Sequence, residues 1–242
     1  LGRSVDWASI NEKEKKYLLS IGWGVIARGE VAAVIMSGGQ GTRLGFAGPK
    51  GMYDIGLPSG ASIFEIHVER LKKVLSLAQE YTQPATSPPS SASRLTAETA
   101  IPLYIMTSDI NDTEIKAYFE AQGFWGYPQE AVFFFQQGLE PCVTLEGQLI
   151  VESPHSLARA PDGNGGIYAA LERSGALADM ARRGVQHLHI YGIDNVLTRS
   201  CDPAFLGMCV DQQVECGNKV VWRASRSEKV SHSISPSFFF FF

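Results

Sequence analysis

The chain has 242 residues, 45% of them apolar and 19% charged, with a formal net charge of −4. That is long enough for one large α/β domain and too short for two ordinary enzyme domains. The mildly acidic balance argues against a dedicated nucleic-acid surface, while leaving room for a local cation cluster that holds a nucleotide. Cys142, Cys201, Cys209 and Cys216 show neither C-x-x-C pairing nor zinc-like spacing with His, so they read as reduced structural thiols. No apolar run is long enough to span a bilayer and no basic-then-apolar leader opens the chain, so a soluble cytoplasmic protein is expected. The first residue is Leu1, so the natural N-terminus is expected upstream.

In chain order, Asp6 to Ile26 spaces its apolar residues as an amphipathic helix. Val31 to Met36 is a short apolar run whose Val and Ile favour a strand buried on both faces. It breaks into Ser37-Gly38-Gly39-Gln40-Gly41-Thr42, where glycines let several N–H groups approach a ligand without Cβ obstruction. The ligand suited to such a turn is a phosphate, and Arg43 and Lys50 supply a planar fork and a point charge for it. Gly39, Gly41 and Gly45 are one residue too widely spaced for the dinucleotide pattern, and Lys50 lies between Pro49 and Gly51, unlike a P-loop lysine. A mere turn has no need of two cations and three glycines.

Met52 to Pro58 reads as a short extended segment, and Ser62 caps a helix from Ile63 to Gln79 with Glu65 at the capping-box position. His67 in that helix reads as an interfacial side chain, not a ligand. Residues 82–97 are rich in Pro, Ser, Thr and Ala and read as a flexible surface loop. Ile101 to Met106 is a second buried strand, with Thr107, Ser108 and Asp109 as candidate caps for a helix from Asp112 to Gln122. Ala131 to Gln136 is a third strand, ending in Gln137-Gly138. Strand and helix alternate as in a parallel sheet, whose ligands gather at the carboxyl ends of the strands.

Val143 to Val151 reads as a hairpin about Glu146-Gly147. Ala160-Pro161-Asp162-Gly163-Asn164-Gly165-Gly166 then precedes a helix from Ile167 to Ala178, an arrangement suited to the polar parts of a nucleotide or sugar. Val185 to Tyr191 is a further strand with Ile193-Asp194-Asn195 at its carboxyl end. Asp194 is the candidate ligand for a divalent cation, which prefers carboxylate and phosphate oxygen; His187 and His189 read as packed residues. From Trp222 the pattern changes and ends in five consecutive phenylalanines, an aggregation hazard at an exposed terminus. Residues 222–242 are therefore expected to be an aberrant or disordered tail, read from an intron or a shifted frame. Residues 1–30 form a partial N-terminal helical segment and 31–221 the nucleotide-binding catalytic domain.

Four motifs, GGQGTRLG with PKGMYDIGLPSG, FFQQG, APDGNGG and Ile193-Asp194-Asn195, resemble the eukaryotic UDP-N-acetylhexosamine pyrophosphorylases over about Gly22 to Val221. The resemblance implies a Rossmann-like, mostly parallel sheet flanked by helices, of the nucleotide-diphospho-sugar transferase (GT-A-like) kind, here incomplete at the C-terminus. It implies uridylyl transfer from UTP to N-acetylhexosamine 1-phosphate with Mg²⁺ or Mn²⁺, and no nucleic-acid or membrane partner. By the same analogy, Arg43 and Lys50 are catalytic and clamp the triphosphate. Met36, Ser37, Gly38, Gly39 and Gly41 line the nucleotide, Gln137 and Gly163 contact uracil or ribose, Asn164 contacts the N-acetylated sugar, and Asp194 holds the metal. Three readings stand at this point: a nucleotidyltransferase, a non-catalytic shortened product that binds UTP weakly, and a dehydrogenase-like domain.

Overall fold

The computed structural model describes residues 5–82, 95–220 and 237–241, the last five and Arg43 by backbone alone. The chain builds a six-stranded sheet around β1 (Val31–Met36), all six of whose residues are buried. β1 pairs in parallel with β2 (Leu103–Thr107) on one side and β8 (His187–Gly192) on the other, and β2 pairs in parallel with β3 (Val132–Gln136). From β1 the chain runs outward through β2 and β3, then returns to lay β8 against the other edge of β1. The strand order reverses between β1 and β8, and at such a reversal loops leave neighbouring strands in opposite directions and open a crevice.

Alternate residues of β1 feed two cores, as a period-two element must. Val31, Ala33 and Ile35 pack beneath α1 (Glu12–Ala27), α2 (Ile63–Thr82), α3 (Asp112–Ala121) and α6 (Pro203–Asp211) through Ile26, Phe64, Leu71, Phe119 and Leu206. Ala32, Val34 and Met36 pack with α4 (Ile167–Arg173) and α5 (Ala176–Arg182) through Leu171 and Met180. α1 and α6 meet backbone to backbone: a Cβ on Gly22 would lie 1.9 Å from the Pro203 carbonyl oxygen, and one on Gly207 1.8 Å from that of Leu18. No side chain fits either position without separating the helices.

The expected elements are present, with instructive departures. The first helix is a 3₁₀ turn at Trp7–Ser9 followed by α1, whose cap is Asn11 accepting from the Glu14 N–H at 2.9 Å. Met52 to Pro58 is not one extended segment, because Lys50–Met52 forms a 3₁₀ turn. The helix expected from Ile167 to Ala178 breaks into α4 and α5 at Gly175, which adopts a left-handed φ of 78°. None of Thr107, Ser108 and Asp109 caps α3; Thr107 Oγ1 donates to Asp112 Oδ1 at 2.6 Å and Asn111 holds the N-cap position. The hairpin at Gly147 is present, within an excursion of short strands β4 (Leu139–Pro141), β5 (Val151–Ser153), β6 (Ser156–Leu157) and β7 (Arg159–Pro161).

Most of the 82–97 loop and of the 222–242 tail lies outside the described residues. The expectation of disorder fails for Ser237–Phe241, which form β10, antiparallel both to β8 and to β9 (Cys216–Lys219). A strand edge offers unpaired N–H and C=O groups to any segment of high β propensity, and a run of phenylalanines is one.

Candidate functional site

The site begins where the parallel ladders run one residue past their strands. Ser37 N–H donates to the Met106 carbonyl at 2.8 Å, Gln137 N–H to that of Thr107 at 2.9 Å, and Ile193 N–H to that of Met36 at 3.0 Å. The residues leaving β1, β3 and β8 are therefore held in register with one another. Asn111, fully buried, reinforces this by donating to the Ser37 carbonyl at 3.0 Å while accepting from the Ser108 N–H at 2.8 Å.

Beyond Ser37 the chain turns back on itself. Gly41 N–H donates to the Gly48 carbonyl at 2.7 Å and Lys50 N–H to that of Gly39 at 3.4 Å, closing residues 40–49 into a narrow loop. The loop returns Lys50 beneath the turn, where a Cβ on Gly39 would stand 3.7 Å from its Nζ. That Nζ lies 3.3 Å from Asp194 Oδ2, across the crevice between β1 and β8. Gln137 approaches from the β3 side, where a Cβ on Gly38 would meet its Oε1 at 2.7 Å. Glycine at 38 is thus a matter of space for Gln137, whereas a Cβ at 39 would make only ordinary contact with Lys50.

Five of the candidate residues, Gly38, Gly39, Lys50, Gln137 and Asp194, converge on one crevice. Others serve the fold as well. The N–H groups of Ser37 and Gly41 are engaged internally, whereas those of Gly38, Gly39 and Gln40 have no backbone partner among the described residues. Met36 gives its side chain to the core beneath α4 and α5 and its carbonyl to Ile193. Arg43 lies in the short 3₁₀ turn Thr42–Leu44, and its side chain is outside the described residues.

The second motif joins the first through Gln137-Gly138. β4 and β7 pair antiparallel, and Asp162 N–H continues their ladder by donating to the Gly138 carbonyl at 3.0 Å. The Asp162 carboxylate is wedged between two glycines: a Cβ on Gly138 or Gly166 would meet it at 2.1 or 2.0 Å. Gly163, with φ 77°, then turns the chain so that exposed Asn164 opens the 3₁₀ turn preceding α4. In the sequence Asp162 is one polar member of a loop, and its spacing from two glycines is the signal that marks it.

Among the described residues no group of three or more His, Cys, Asp or Glu side chains could enclose a metal. Asp194 is a single half-exposed carboxylate. This donor set fits Mg²⁺ or Mn²⁺, hard ions content with one or two carboxylates, water and substrate phosphate, and does not fit a zinc cage. The buried His67 and His189 serve the packing of the fold. Burial, then the nearby charge of Arg70, pushes His67 down to about 4. Burial likewise pushes His189 down to about 3, and its Nδ1 accepts from the Cys201 N–H at 2.8 Å. A cleft of about 420 Å³ lies apart from the strand ends, between α3 and β3, lined by Lys116, Glu120, Phe124 and Phe134 among others.

A family described as UTP–glucose-1-phosphate uridylyltransferase matches residues 4–236. The chain belongs to that family. Within it, the chain is 47% identical over 210 residues to the probable UDP-N-acetylglucosamine pyrophosphorylase of Schizosaccharomyces pombe, covering 87% of this chain and 42% of the relative. It is 43% identical over 227 residues to UDP-N-acetylglucosamine diphosphorylase 1 of Arabidopsis thaliana, covering 94% and 43%. Its fold is similar to that of the uridine diphosphate N-acetylglucosamine pyrophosphorylase of Trypanosoma brucei, with a TM-score of 0.80 and 30% identity over 90% of this chain and 42% of that one. The putative UDP-N-acetylglucosamine pyrophosphorylase of Entamoeba histolytica gives 0.78 and 30% over 94% and 54%. This uridylyltransferase-family chain therefore spans less than half the length of the curated relatives it matches. The kinship and the α/β fold expected from the motifs both stand.

Proposed function

We propose that the chain forms the nucleotide-binding part of a uridylyltransferase that makes UDP-N-acetylhexosamine and pyrophosphate from UTP and N-acetylhexosamine 1-phosphate. The observation that carries this reading is the 3.3 Å approach of Lys50 Nζ to Asp194 Oδ2 across the strand-order reversal, beside the glycine turn. A cation and a carboxylate so placed suit a polyphosphate and its counter-ion. The names of the relatives at 47% and 43% identity support the amino-sugar substrate.

In this reading the amides of Gly38, Gly39 and Gln40 receive phosphate oxygens, and the Gln137 amide, lying against Gly38, is in reach of the uracil edge. A phosphate oxygen of the sugar phosphate attacks the α-phosphorus of UTP in line and pyrophosphate departs. Two repelling anions must be aligned, so positioning and electrostatic stabilisation carry the rate. Lys50 leaves Asp194 for the triphosphate and neutralises the charge that grows on the leaving group. Asp194 is the residue that would hold Mg²⁺ or Mn²⁺, and the ion would supply charge neutralisation and a template for the phosphates. Gly163 and Asn164 face the ribose and the N-acetyl sugar.

Calorimetry with UTP and Mg²⁺, paired with pyrophosphate release from UTP and N-acetylglucosamine 1-phosphate, tests the proposal. Binding with release is the expected result, and absence of binding sinks it. Binding without release supports a second reading, a nucleotide-binding but non-catalytic product, which is favoured by the chain's spanning only 42% of its relative. Among the described residues no helix is long and apolar enough to cross a membrane.

A further inference from the structure

The one ion pair or side-chain hydrogen bond of Asp194 among the described residues is the 3.3 Å pair with Lys50, so its position is set chiefly by the backbone that carries it. That backbone, residues 193–201, is a chain of tight turns. Asn195 N–H donates to Gly192, Val196 to Asp194 and Thr198 to Asn195, at 3.0–3.1 Å. Its far end is tied to β8 by Tyr191 Oη with Ser200 Oγ at 3.0 Å and by Cys201 N–H with His189 Nδ1 at 2.8 Å. The middle of the loop is held from outside the sheet. Arg70 of α2 directs one nitrogen, Nη1, to the carbonyls of both Val196 and Thr198, the latter at 3.1 Å.

Among the described residues no carboxylate pairs with Arg70, so the guanidinium is satisfied by carbonyl dipoles of this loop. One turn earlier on the same helix, buried His67 packs its ring against Tyr191 at 5.1 Å, laying this face of α2 along the end of β8. The helix also reaches the other partner of the pair. Ile63 N–H at its start donates to the Tyr53 carbonyl at 3.1 Å, and Tyr53 N–H donates to that of Lys50, also at 3.1 Å. α2 is thus a rigid bar with the Lys50 segment tied to its first turn and the Asp194 loop tied to its second.

We propose that Arg70 is a positioning residue: through the carbonyls of Val196 and Thr198 it sets where the Asp194 carboxylate stands relative to Lys50, and so where a divalent cation meets the triphosphate. This rests on the reading of Asp194 as the metal ligand. An ammonium at 70 would keep the attraction to the two carbonyls on a more flexible stem without the planar guanidinium that orients Nη1, so Lys is a partial replacement and Ala is none.

The test uses the full chain as wild type, Arg70→Ala and Arg70→Lys, with UTP affinity measured by calorimetry with and without Mg²⁺ and amide exchange followed across residues 193–199. The wild type should bind UTP at least tenfold more tightly with Mg²⁺. R70A should lose that gain while keeping its metal-free affinity within about twofold, and its 193–199 amides should exchange at least tenfold faster. R70K should recover part of both. A folded R70A that keeps the full Mg²⁺ gain overturns the assignment, as does one whose metal-free and Mg²⁺-bound affinities fall together. If R70A does not fold, R70K decides: wild-type exchange and an undiminished Mg²⁺ gain overturn the proposal. A wild type that binds UTP but ignores Mg²⁺ overturns instead the metal reading of Asp194 and takes the proposal with it, whatever Arg70 does.

Discussion

The two glycine-bearing motifs of this chain are held in opposite ways. The turn after β1 grows out of buried, parallel strands and is tied at each step: Ser37 to Met106, Asn111 to Ser37, Gly41 to Gly48. β7 and the loop after it are exposed at Arg159 to Pro161 and at Gly163 to Gly165, and beyond the Asp162 N–H bond to the Gly138 carbonyl the loop is held by the Asp162 carboxylate fitted between Gly138 and Gly166. Charge that must meet a moving transition state needs a fixed frame, because an electrostatic donor that has to reorganise loses most of its advantage. Recognition of a sugar tolerates a looser loop. For the proposed reaction, this difference puts the rate with the first motif and the choice of acceptor with the second.

The largest effect should come from the first motif. Lys50→Ala should lower turnover by roughly 10²–10³-fold, about 3 kcal/mol of transition-state stabilisation, with a smaller change in UTP affinity. Pyrophosphate release and calorimetry on one sample separate the two. Turnover within a few-fold of wild type would break the comparison outright.

Next in size is a stability effect at the second motif. A Cβ on Gly166 would stand 2.0 Å from the Asp162 carboxylate, which Gly138 prevents from retreating on its other side. Gly166→Ala should destabilise by roughly 2 kcal/mol, in the range for overpacking, as read from urea unfolding. An unchanged midpoint would mean that Asp162 is not the wedge it resembles.

The frame beneath the first motif carries a pH signature. His67, beside Arg70, His189 and Tyr191, is held down to about 4, and His189, facing Asp202, Lys219 and His67, to about 3. Both are neutral in the folded chain and take up a proton near pH 6.5 when unfolded. Their contribution is fully present above pH 6.5 and is lost as pH falls toward 4, by roughly 1.4 kcal/mol per unit for each. Below about 4 the loss from His67 stops growing, because both states are then protonated. Thermal unfolding from pH 8 to 4 should show the decline, and His67→Leu should make it shallower. Equal slopes would remove His67 from the account.

The smallest effect sharpens the division of labour. Asn164→Ala should raise KM for the sugar phosphate by roughly fivefold, about 1 kcal/mol, and leave kcat nearly unchanged. A fall in kcat of the size expected for Lys50→Ala would show that both motifs serve the chemical step.

The sequence by itself determined the local pieces. β1 was legible to the residue because a six-residue apolar run bounded by a charge and a glycine turn has little else to become. The two glycine motifs and the strand-end Asp194 were legible because each needs only its own neighbours in the chain. The tertiary structure alone decided what meets what. Lys50 and Asp194 are 144 residues apart, and their 3.3 Å approach depends on β8 returning to the free edge of β1, a choice of side that hydrophobic periodicity does not encode. The same holds for Gln137 against Gly38, Asp162 between two glycines and Arg70 beneath Val196 and Thr198. It also decided that Ser37 and Gly41 turn their amides inward, because a backbone donor is claimed by whichever carbonyl the strand register brings to it. Local chemistry is written in short windows, whereas a site is made by long-range contacts that exist only once the sheet has closed on its strand order.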